Sequence, residues 1–590
     1  MNAYNNYHKN IEILKEKEPT LLERINDIAS NYELASSLAC EENISFDKDI
    51  SNSNIIVVLG FGVGDHVKAL LKQVPEKTLI IIADPDLSIF KAALYLRDLS
   101  HILDNNQVLL CLGENPEIIK KKIEDRFGLL TISNIETIEN EIFIKNSPDY
   151  FEKVKNILKE INIYAYINIG TLKRFTKAWP RNFLKNIIPF VKNPGIITLH
   201  NKFPQIPAII VSSGPSLNKN VKLLKKAKNY FIIICVDTAL SVLMQNKIEP
   251  HLVFTVESNP ENLDCFKSWL STNFFLCASM FVYYPTIKNF KGSIFIDNGG
   301  YPLAQWIEKF IDTKGFLNRS GSVATNCFSL AQFMGCNPIV FVGQDLSFPR
   351  NIFYAKGVSS IIVKHRNDIM AKNKDIVYVK DNYGHMIKTN HFMKGWKLWF
   401  EEGIKETPHI TYINATEGGA KIEGTRFITL KETIKQYGLK KINVSKVLNK
   451  IQKDHKIPSL EDLIKEFKSI IEEYQIASHV SIQGKIICDN LVNSLGHENT
   501  TSPRISQLFN RARILYEEIS NLKKFMYFSH WNFERMMFEI EKEFKEKTSK
   551  SIVNSYQCFF QEVINITTTM LRHLIKAEKE IKKLNKTLDS

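Results

Sequence analysis

The chain has 590 residues, with 77 Lys and Arg against 63 Asp and Glu, a formal charge of +14 and 44% hydrophobic side chains. That apolar content beside a charged fraction of 24% excludes wholesale disorder and collagen-like or heptad-array architectures, and the length predicts roughly three or four domains of ordinary size. The longest apolar runs, LIIIA at 79–83 and FIIIC at 231–235, fall far short of the roughly 18–20 residues that hydrocarbon demands, so no membrane span is expected.

The opening segment MNAYNNYHKNIEILKEKE lacks the apolar core of a secretory signal, which places the protein in the cytoplasm. Nine cysteines, at 40, 111, 235, 265, 277, 327, 336, 488 and 558, form no CxxC or CxxxC pair, so reduced and buried thiols are expected rather than disulfides or zinc ligands. The surplus of positive charge is dispersed, without a basic stripe interleaved with aromatics, and reads as a solvated surface rather than a nucleic-acid site.

Residues 1–50 read as polar helices, with apolar positions in ILKEKEPTLLERINDIA spaced three and four apart. From Asn54 the texture changes: a buried strand at 55–59, a glycine turn and a helix are followed by strand, acidic turn and helix over 79–99, then a strand at 108–113. Alternation of this kind predicts a parallel sheet with helices on its faces. A helical stretch over 150–192 ends at Pro194 and Gly195, a punctuation pair that suits a linker.

A second alternating region follows, with strands expected at 208–212, 231–237, 252–257, 274–278, 293–297 and 338–345. Past residue 430 strand signals fade into helices, LEDLIKEFKSIIEEY, ISQLFNRARILYEEISNLKKFMYF, WNFERMMFEIEKEF and QEVINITTTMLRHLIKAEKEIKKLNK, which carry half of the +14 and hint at an acidic or protein partner. The expected fold class is therefore α/β: two Rossmann-like doubly wound domains, 1–165 and 166–430, then a helical domain over 431–590.

The strongest local signal is AIIVSSGPSLNKNVKLLKKA, where a strand runs into Ser212-Ser213-Gly214-Pro215-Ser216 and opens a helix. Free N–H groups at that helix start would suit a phosphate or a nucleotide's polar edge, with Gly214 admitting the ligand to the main chain and Pro215 in the first helical turn. It is not a Walker A loop, because GxxxxGK[ST] is absent. Neighbouring strands also end in polar residues: Asp237 and Thr238, Glu257 and Ser258, Gln344 and Asp345. Four tips are thus expected to converge on one crevice at the ligand-binding edge of an open α/β sheet.

In Arg319-Ser320-Gly321-Ser322, Ser322 is a candidate cap for the next helix and Gly321 would expose the helix's positive end to a second phosphate-like group. SFPRNIFYAKGVSS and YGHMIKTNHF read as loops rich in Tyr, His and Arg, able to cover a substrate and to supply acid, base or charge-stabilising groups. In the first alternating region, Gly60-Phe61-Gly62-Val63-Gly64 followed by Asp84 imitates an S-adenosylmethionine or dinucleotide loop, and a structural role in strand-to-helix packing is the favoured reading.

Taken in order, SSGPSL (212–217), VDTALSVLMQNKIEPHLVFTVES (236–258), RSGSVATNCFSLAQFMGCNPIVFVGQDLSF (319–348) and INATEGGAKIEGT (413–425) resemble the motility accessory factor (Maf) glycosyltransferases. The segments LGFGVGDHVKALL and IIIADPDLSIFKAAL resemble that family's leading Rossmann-like domain. The resemblance covers nearly the whole chain. It implies transfer of a nonulosonic acid, pseudaminic, legionaminic or sialic in type, from a CMP-activated donor to Ser or Thr of flagellin, in support of flagellum assembly and motility. No obligatory cofactor is implied.

Through its central domain the family resembles CMP-sialic-acid-dependent sialyltransferases. That resemblance implies nucleotide contacts at Ser213, Gly214, Pro215 and Ser216, at Asp237 and Thr238, and at Gln344. Glu257 would approach ribose, base or sugar, Gly321 and Ser322 would face phosphate, and Glu417 joins the substrate-binding set. This chain carries acids at Asp237 and Glu257, where those enzymes place asparagine. His385 would be the base, with His391 as the competing choice; Tyr354 and Tyr383 would donate to the departing phosphate, and Asp345 would orient the acceptor or the base.

The same superfamily includes archaeal 6-hydroxymethylpterin pyrophosphokinases, so an ATP-dependent alternative stays open in which Asp237, Glu257 and Asp345 ligate magnesium. A non-catalytic flagellin chaperone with a vestigial crevice is the third reading.

Overall fold

The computed structural model describes residues 2–37, 50, 53–75, 78–127, 135–139, 141–159, 161, 178–318, 321–372, 376–495, 502–530, 532–533, 536 and 548–588. They fall in two compact units, residues 1–174 and 175–590. The expected boundary near 165, Cys40, and most of the expected helix WNFERMMFEIEKEF lie outside the described residues.

The first unit is built on four parallel strands, β1 (Ile55–Leu59), β2 (Leu79–Asp84), β3 (Val108–Leu112) and β4 (Ile135–Glu139), in the order β3-β2-β1-β4. IIVVL and LIIIAD are buried along their whole length, as strands covered on both faces must be. The amphipathic N-terminal helix Asn2–Lys17 packs on the helix Leu87–Leu96, with Tyr7 and Tyr95 stacked at 3.9 Å. β4 was not expected: IETIE is mostly half-buried and offers no continuous apolar run to mark it.

The second unit is organised by eight strands, all parallel: β5 (Ala208–Val211), β6 (Ile232–Val236), β7 (Leu252–Thr255), β8 (Phe275–Ser279), β9 (Ile294–Asp297), β10 (Ile339–Val342), β13 (Tyr412–Asn414) and β14 (Arg426–Phe427). Their order is β14-β13-β10-β5-β6-β7-β8-β9. Every residue of β5 to β10 is buried, which requires cover on both faces. One cover is the helix Val323–Phe333, packed on β5, β6, β7 and β10.

Three expectations change here. The Pro194–Gly195 pair is no linker, because Ile296 N–H bonds to Pro194 O at 2.9 Å and Gly195 bridges Ile296, so the pair extends the sheet beyond β9. YGHMIKTNHF is not a loop: β11 (Ile376–Lys380) and β12 (Met386–Asn390) form an antiparallel hairpin whose turn spans 381–385, and the helix His391–Glu406 follows, capped by the Asn390 side chain. Exposed Ile376, Tyr378 and Met386 on one hairpin face left no buried run to read. The expected division at 430 falls inside one compact unit.

The helices Glu461–Leu495 and Ser549–Leu588, longer than their sequence signals suggested, cross so closely that a Cβ on Gly484 would lie 2.4 Å from the Phe560 ring. Trp306, on the helix Pro302–Ile307, meets Phe467 of the first of these at 5.9 Å and Phe528 of the helix Lys523–Phe528 edge-on at 4.6 Å, and Gln452 Nε2, on the helix Val444–Asp454, donates to Ile294 O of β9 at 2.7 Å. Among the described residues eight cysteines are free thiols, seven of them buried.

The edge at Gly195 yields a stability prediction. A Cβ there would stand 2.1 Å from Lys314 Cα, a backbone atom that cannot swing away. Gly195→Ala is expected to cost about 1–3 kcal/mol, read as a lower urea midpoint with an unchanged slope; an unaltered midpoint would contradict the close approach.

Candidate functional site

The chain builds strands outward from β5 to β9 and then returns to lay β10 on the other side of β5. At such a reversal the connections on either side leave from opposite faces, and a crevice opens beyond the carboxyl ends of the two central strands. Val211 and Val342 are register partners, so Ser212 and Gly343 head this crevice side by side. β10, β5, β6 and β7 are consecutive in the sheet, and the four polar tips expected to converge do lie along one edge.

Asp345 is buried at this edge. It is 4% exposed; Ser216 Oγ donates to its Oδ2 at 2.6 Å, and Ser216 N–H approaches both oxygens at 3.3 Å. Burial pushes its carboxyl up to about 6, with the Ser216 hydroxyl and amide and the Lys219 charge pulling the other way. Gly214 has a different reason from the one expected. A Cβ there would sit 2.1 Å from Asp345 Oδ2 and 2.6 Å from Gly343 O, so its missing side chain makes room for the carboxylate.

The turn's amides are also not free: Gly214 N–H bonds to Gly343 O at 2.9 Å and Ser216 N–H faces Asp345. The helix that follows is a single turn, Leu217–Asn220, too short to project a macrodipole, and Pro215 precedes its N-cap Ser216 rather than standing inside it. A phosphate site made of main-chain amides at this turn is therefore not what the geometry offers.

Behind the edge, Asp237 is 2% exposed and held by its neighbours. Thr255 Oγ1 donates to its Oδ2 at 2.8 Å, Asn262 Nδ2 lies 3.3 Å from the same oxygen, and Thr238 N–H donates to Oδ1 at 2.8 Å. Burial, and the Glu257 carboxylate nearby, raise it to about 7 against the Thr255 and Thr238 bonds. Thr255, Asn262 and Thr286, whose hydroxyl donates to Asn262 Oδ1 at 2.8 Å, were missed by sequence reasoning. Glu257 itself is exposed.

Other candidates divide between this crevice and its surroundings. Ser213 Oγ pairs with Thr238 Oγ1 at 2.8 Å, and Ser212 Oγ donates to Gln344 Oε1. Half-buried Tyr354 belongs to a loop docked on the turn, since Ala355 N–H bonds to Ser213 O at 2.8 Å and Lys356 N–H to Asn218 Oδ1 at 3.0 Å. Glu417, at a positive φ of 56°, accepts from Leu430 N–H through Oε1 at 3.1 Å, and its carbonyl receives Lys219 Nζ at 2.7 Å.

Gly321 and Ser322 stand at the same sheet edge, because the helix Val323–Phe333 feeds β10 and so runs opposite to the strands. Gly321 is exposed with open space where a Cβ would be. Ser322 occupies the N-cap position without a side-chain bond; its carbonyl takes the N–H and hydroxyl of Thr325 instead. Arg319 and Ser320 lie outside the described residues.

His385 and Tyr383 are on the hairpin turn, His385 with 77% of its side chain exposed and its Nδ1 3.3 Å from Asp381 Oδ2. Tyr383, 65% exposed, meets Phe427 edge-on at 5.4 Å. The turn leads back to the crevice: Asp381 bridges Ala420, and Ala420 N–H bonds to Asp345 O at 2.7 Å. His391 is exposed at the start of its helix. Among the described residues, no three His, Cys, Asp or Glu side chains are grouped to hold a metal ion.

In the first unit the glycine loop is closed on itself. Asp84, 3% exposed, accepts the N–H of Phe61 at 2.7 Å and of Asp86 at 2.9 Å, so its carboxylate braces the loop, and burial raises it to about 6. A Cβ on Gly64 would come within 2.9 Å of Leu99. Both observations support the packing role.

The family described as 6-hydroxymethylpterin diphosphokinase MptE-like matches residues 181–351. Comparison with curated proteins finds no match. Among solved structures, the Maf glycosyltransferase from Magnetospirillum magneticum AMB-1 is similar over 99% of each chain with a TM-score of 0.57 and 15% sequence identity. The chain thus has the MptE-like/Maf glycosyltransferase fold, as the sequence resemblance implied.

The two buried acids give stability a pH dependence of defined sign. A carboxyl raised to about 6 in the folded state, from 3.8, binds its proton more tightly when folded, so its contribution is favourable at low pH and is lost as pH rises from about 4 to 6. Asp345→Asn removes that titration. Its stability relative to the native chain is expected to rise between pH 4 and pH 7 by about 2 kcal/mol, measured by urea denaturation at both values; a difference that does not change with pH would refute a raised carboxyl.

Proposed function

We propose that this chain is a transferase that moves a nonulosonic acid from its CMP-activated form onto Ser or Thr hydroxyls of flagellin, in the cytoplasm and with no obligatory metal. The observation that carries the reading is the crevice between β5 and β10, where the Ser216–Asp345 pair and the Ser213–Thr238 pair line the edge at which open α/β sheets take nucleotides. The shared fold with a Maf glycosyltransferase supports it. The helices past 430 would help to dock flagellin.

In the reaction the acceptor oxygen attacks the anomeric carbon as its bond to the CMP phosphate breaks, the sugar gaining positive character and the phosphate negative charge. Asp345 and Asp237, both held above the usual carboxylate range, can remain protonated beside an anionic donor more readily than ordinary acids. Ser213, Thr238, Gln344 and Tyr354 supply hydroxyl and amide groups along the same edge, with Gly321 and Ser322 beside them. His385 would take the proton of the acceptor hydroxyl at Nε2, since Nδ1 is the atom facing Asp381; a carboxylate that orients an imidazole is the usual support for such a base. Tyr383 and Glu417 lie on the segments that lead from the hairpin to the crevice.

The MptE-like match favours a second reading, a magnesium-dependent pyrophosphokinase using Asp237, Glu257 and Asp345. Thermal-shift measurements on the full chain separate the two: CMP should raise the melting temperature without magnesium, whereas the alternative requires ATP with magnesium. With flagellin and a nonulosonic-acid pathway co-expressed, flagellin mass should increase by the sugar, and His385→Ala should reduce the modified fraction by about a hundredfold or more, the scale of a lost general base. Unmodified flagellin with the native chain would count against transfer, and full modification by the variant would remove the base assignment alone.

A further inference from the structure

A departing phosphate at the β5–β10 crevice needs positive charge, yet two of the main-chain groups expected to meet it are spent: Gly214 N–H on Gly343 O, Ser216 N–H on Asp345. The crevice also contains two buried carboxyl groups. A side-chain cation at the same edge offsets that balance. Lys219 is three residues beyond Ser216 on the single helical turn, with Nζ 2.7 Å from Glu417 O and 3.9 Å from where a Cβ on Gly418 would stand. Gly418 in turn lies over the Asp345 and Ser216 pair, its would-be Cβ 3.7 Å from Asp345 Oδ1 and 3.3 Å from Ser216 Cβ.

The ammonium is therefore at the mouth of the crevice, its hydrogen-bond acceptor a neutral carbonyl, with two further N–H groups to offer. Its backbone is fixed, because the next residue, Asn220, is 1% exposed and donates to Ala415 O at 3.0 Å. The sequence signal was present, since Lys219 stands two residues past the SSGPSL motif, after Asn218, but on sequence alone it was one lysine among many.

We propose that Lys219 is the catalytic cation that binds the donor's phosphate and neutralises the charge left on it, a role that rests on the CMP-sugar reading given above. As the bond from anomeric carbon to phosphate oxygen breaks, its electron pair stays on that oxygen beside the Lys219 ammonium. The acceptor oxygen forms the new bond to the anomeric carbon and yields its proton to the base. The products are the glycosylated hydroxyl and CMP, with nothing oxidised or reduced.

The test compares CMP with cytidine, which lacks the phosphate, on the full-length native chain, Lys219→Gln and Lys219→Arg, by thermal shift and calorimetric titration. A lost charge-assisted contact should weaken CMP binding by about ten- to a hundredfold in Lys219→Gln, leave cytidine binding unchanged, and flatten the salt dependence of the CMP affinity; Lys219→Arg should retain most of it. A merely structural lysine would lower both ligands together, and that result, or unaltered CMP binding in Lys219→Gln, overturns the proposal. If the native chain itself does not bind CMP, the donor reading falls and takes this role with it. If Lys219→Gln does not fold, Lys219→Met, an uncharged side chain of similar length, takes its place: CMP affinity reduced with cytidine affinity kept supports the role, and both reduced together or neither reduced overturns it.

Discussion

One constraint shapes the centre of the second unit: around the buried Asp345, three stretches of main chain pack against one another more closely than any side chain would permit. Gly214, Gly343 and Gly419 each lack a Cβ where one would collide, with Asp345 Oδ2 at 2.1 Å, with Ser212 O at 2.2 Å and with Asp345 O at 2.3 Å. Two of them, Gly343 and Gly419, also hold positive φ values near 70°, which glycine tolerates far better than other residues. Residues 214–216, 343–345 and 418–420 thereby meet although the chain between them contains most of the sheet. What is ordinarily a ligand-facing glycine turn has become a cradle for the protein's own acid.

The chemistry of the edge follows from that packing. A carboxylate brought so close to backbone must be compensated, and Ser216 does so with both its hydroxyl and its N–H. Compensation uses up the Gly214 and Ser216 donors that a phosphate at this turn would otherwise take, which favours a side-chain cation for an anion there. Asp237 shows the same logic one strand further on, where threonine and asparagine satisfy it from within. Glu257, exposed at the next tip, raises Asp237 without being buried itself.

Much of the architecture was legible because a parallel strand buried on both faces leaves a continuous apolar run. IIVVL, LIIIAD, AIIV, FIIICV and PIVFV all announce themselves in this way. β13 and β14, three and two residues long, and the half-exposed β11–β12 hairpin carry no such run and were not foreseen. At the site, sequence brought forward the tips Ser213 to Ser216, Asp237, Gln344 and Asp345, since each follows a strand directly. It could not show that Gly214 serves Asp345, 131 positions away, or that Gly419 packs on Asp345 from 74 positions away, because those relations run through the sheet order; nor could it show the side-chain choices at Ser322, Thr255 and Asn262, which depend on packing rather than on a pattern.

The joining of helix to sheet bears on how the second unit is made. The helix Ala178–Lys185 near its beginning packs on Ser549–Leu588 at its end, and Phe183 meets Phe528 at 6.3 Å. During synthesis the early strands therefore leave the ribosome well before the partners that seal them. Until the helix Lys523–Phe528 emerges, Phe183 and Trp306 lack the aromatic cover of Phe528, and until the final helix follows, the nascent unit presents apolar surface of the kind that makes folding intermediates prone to aggregate.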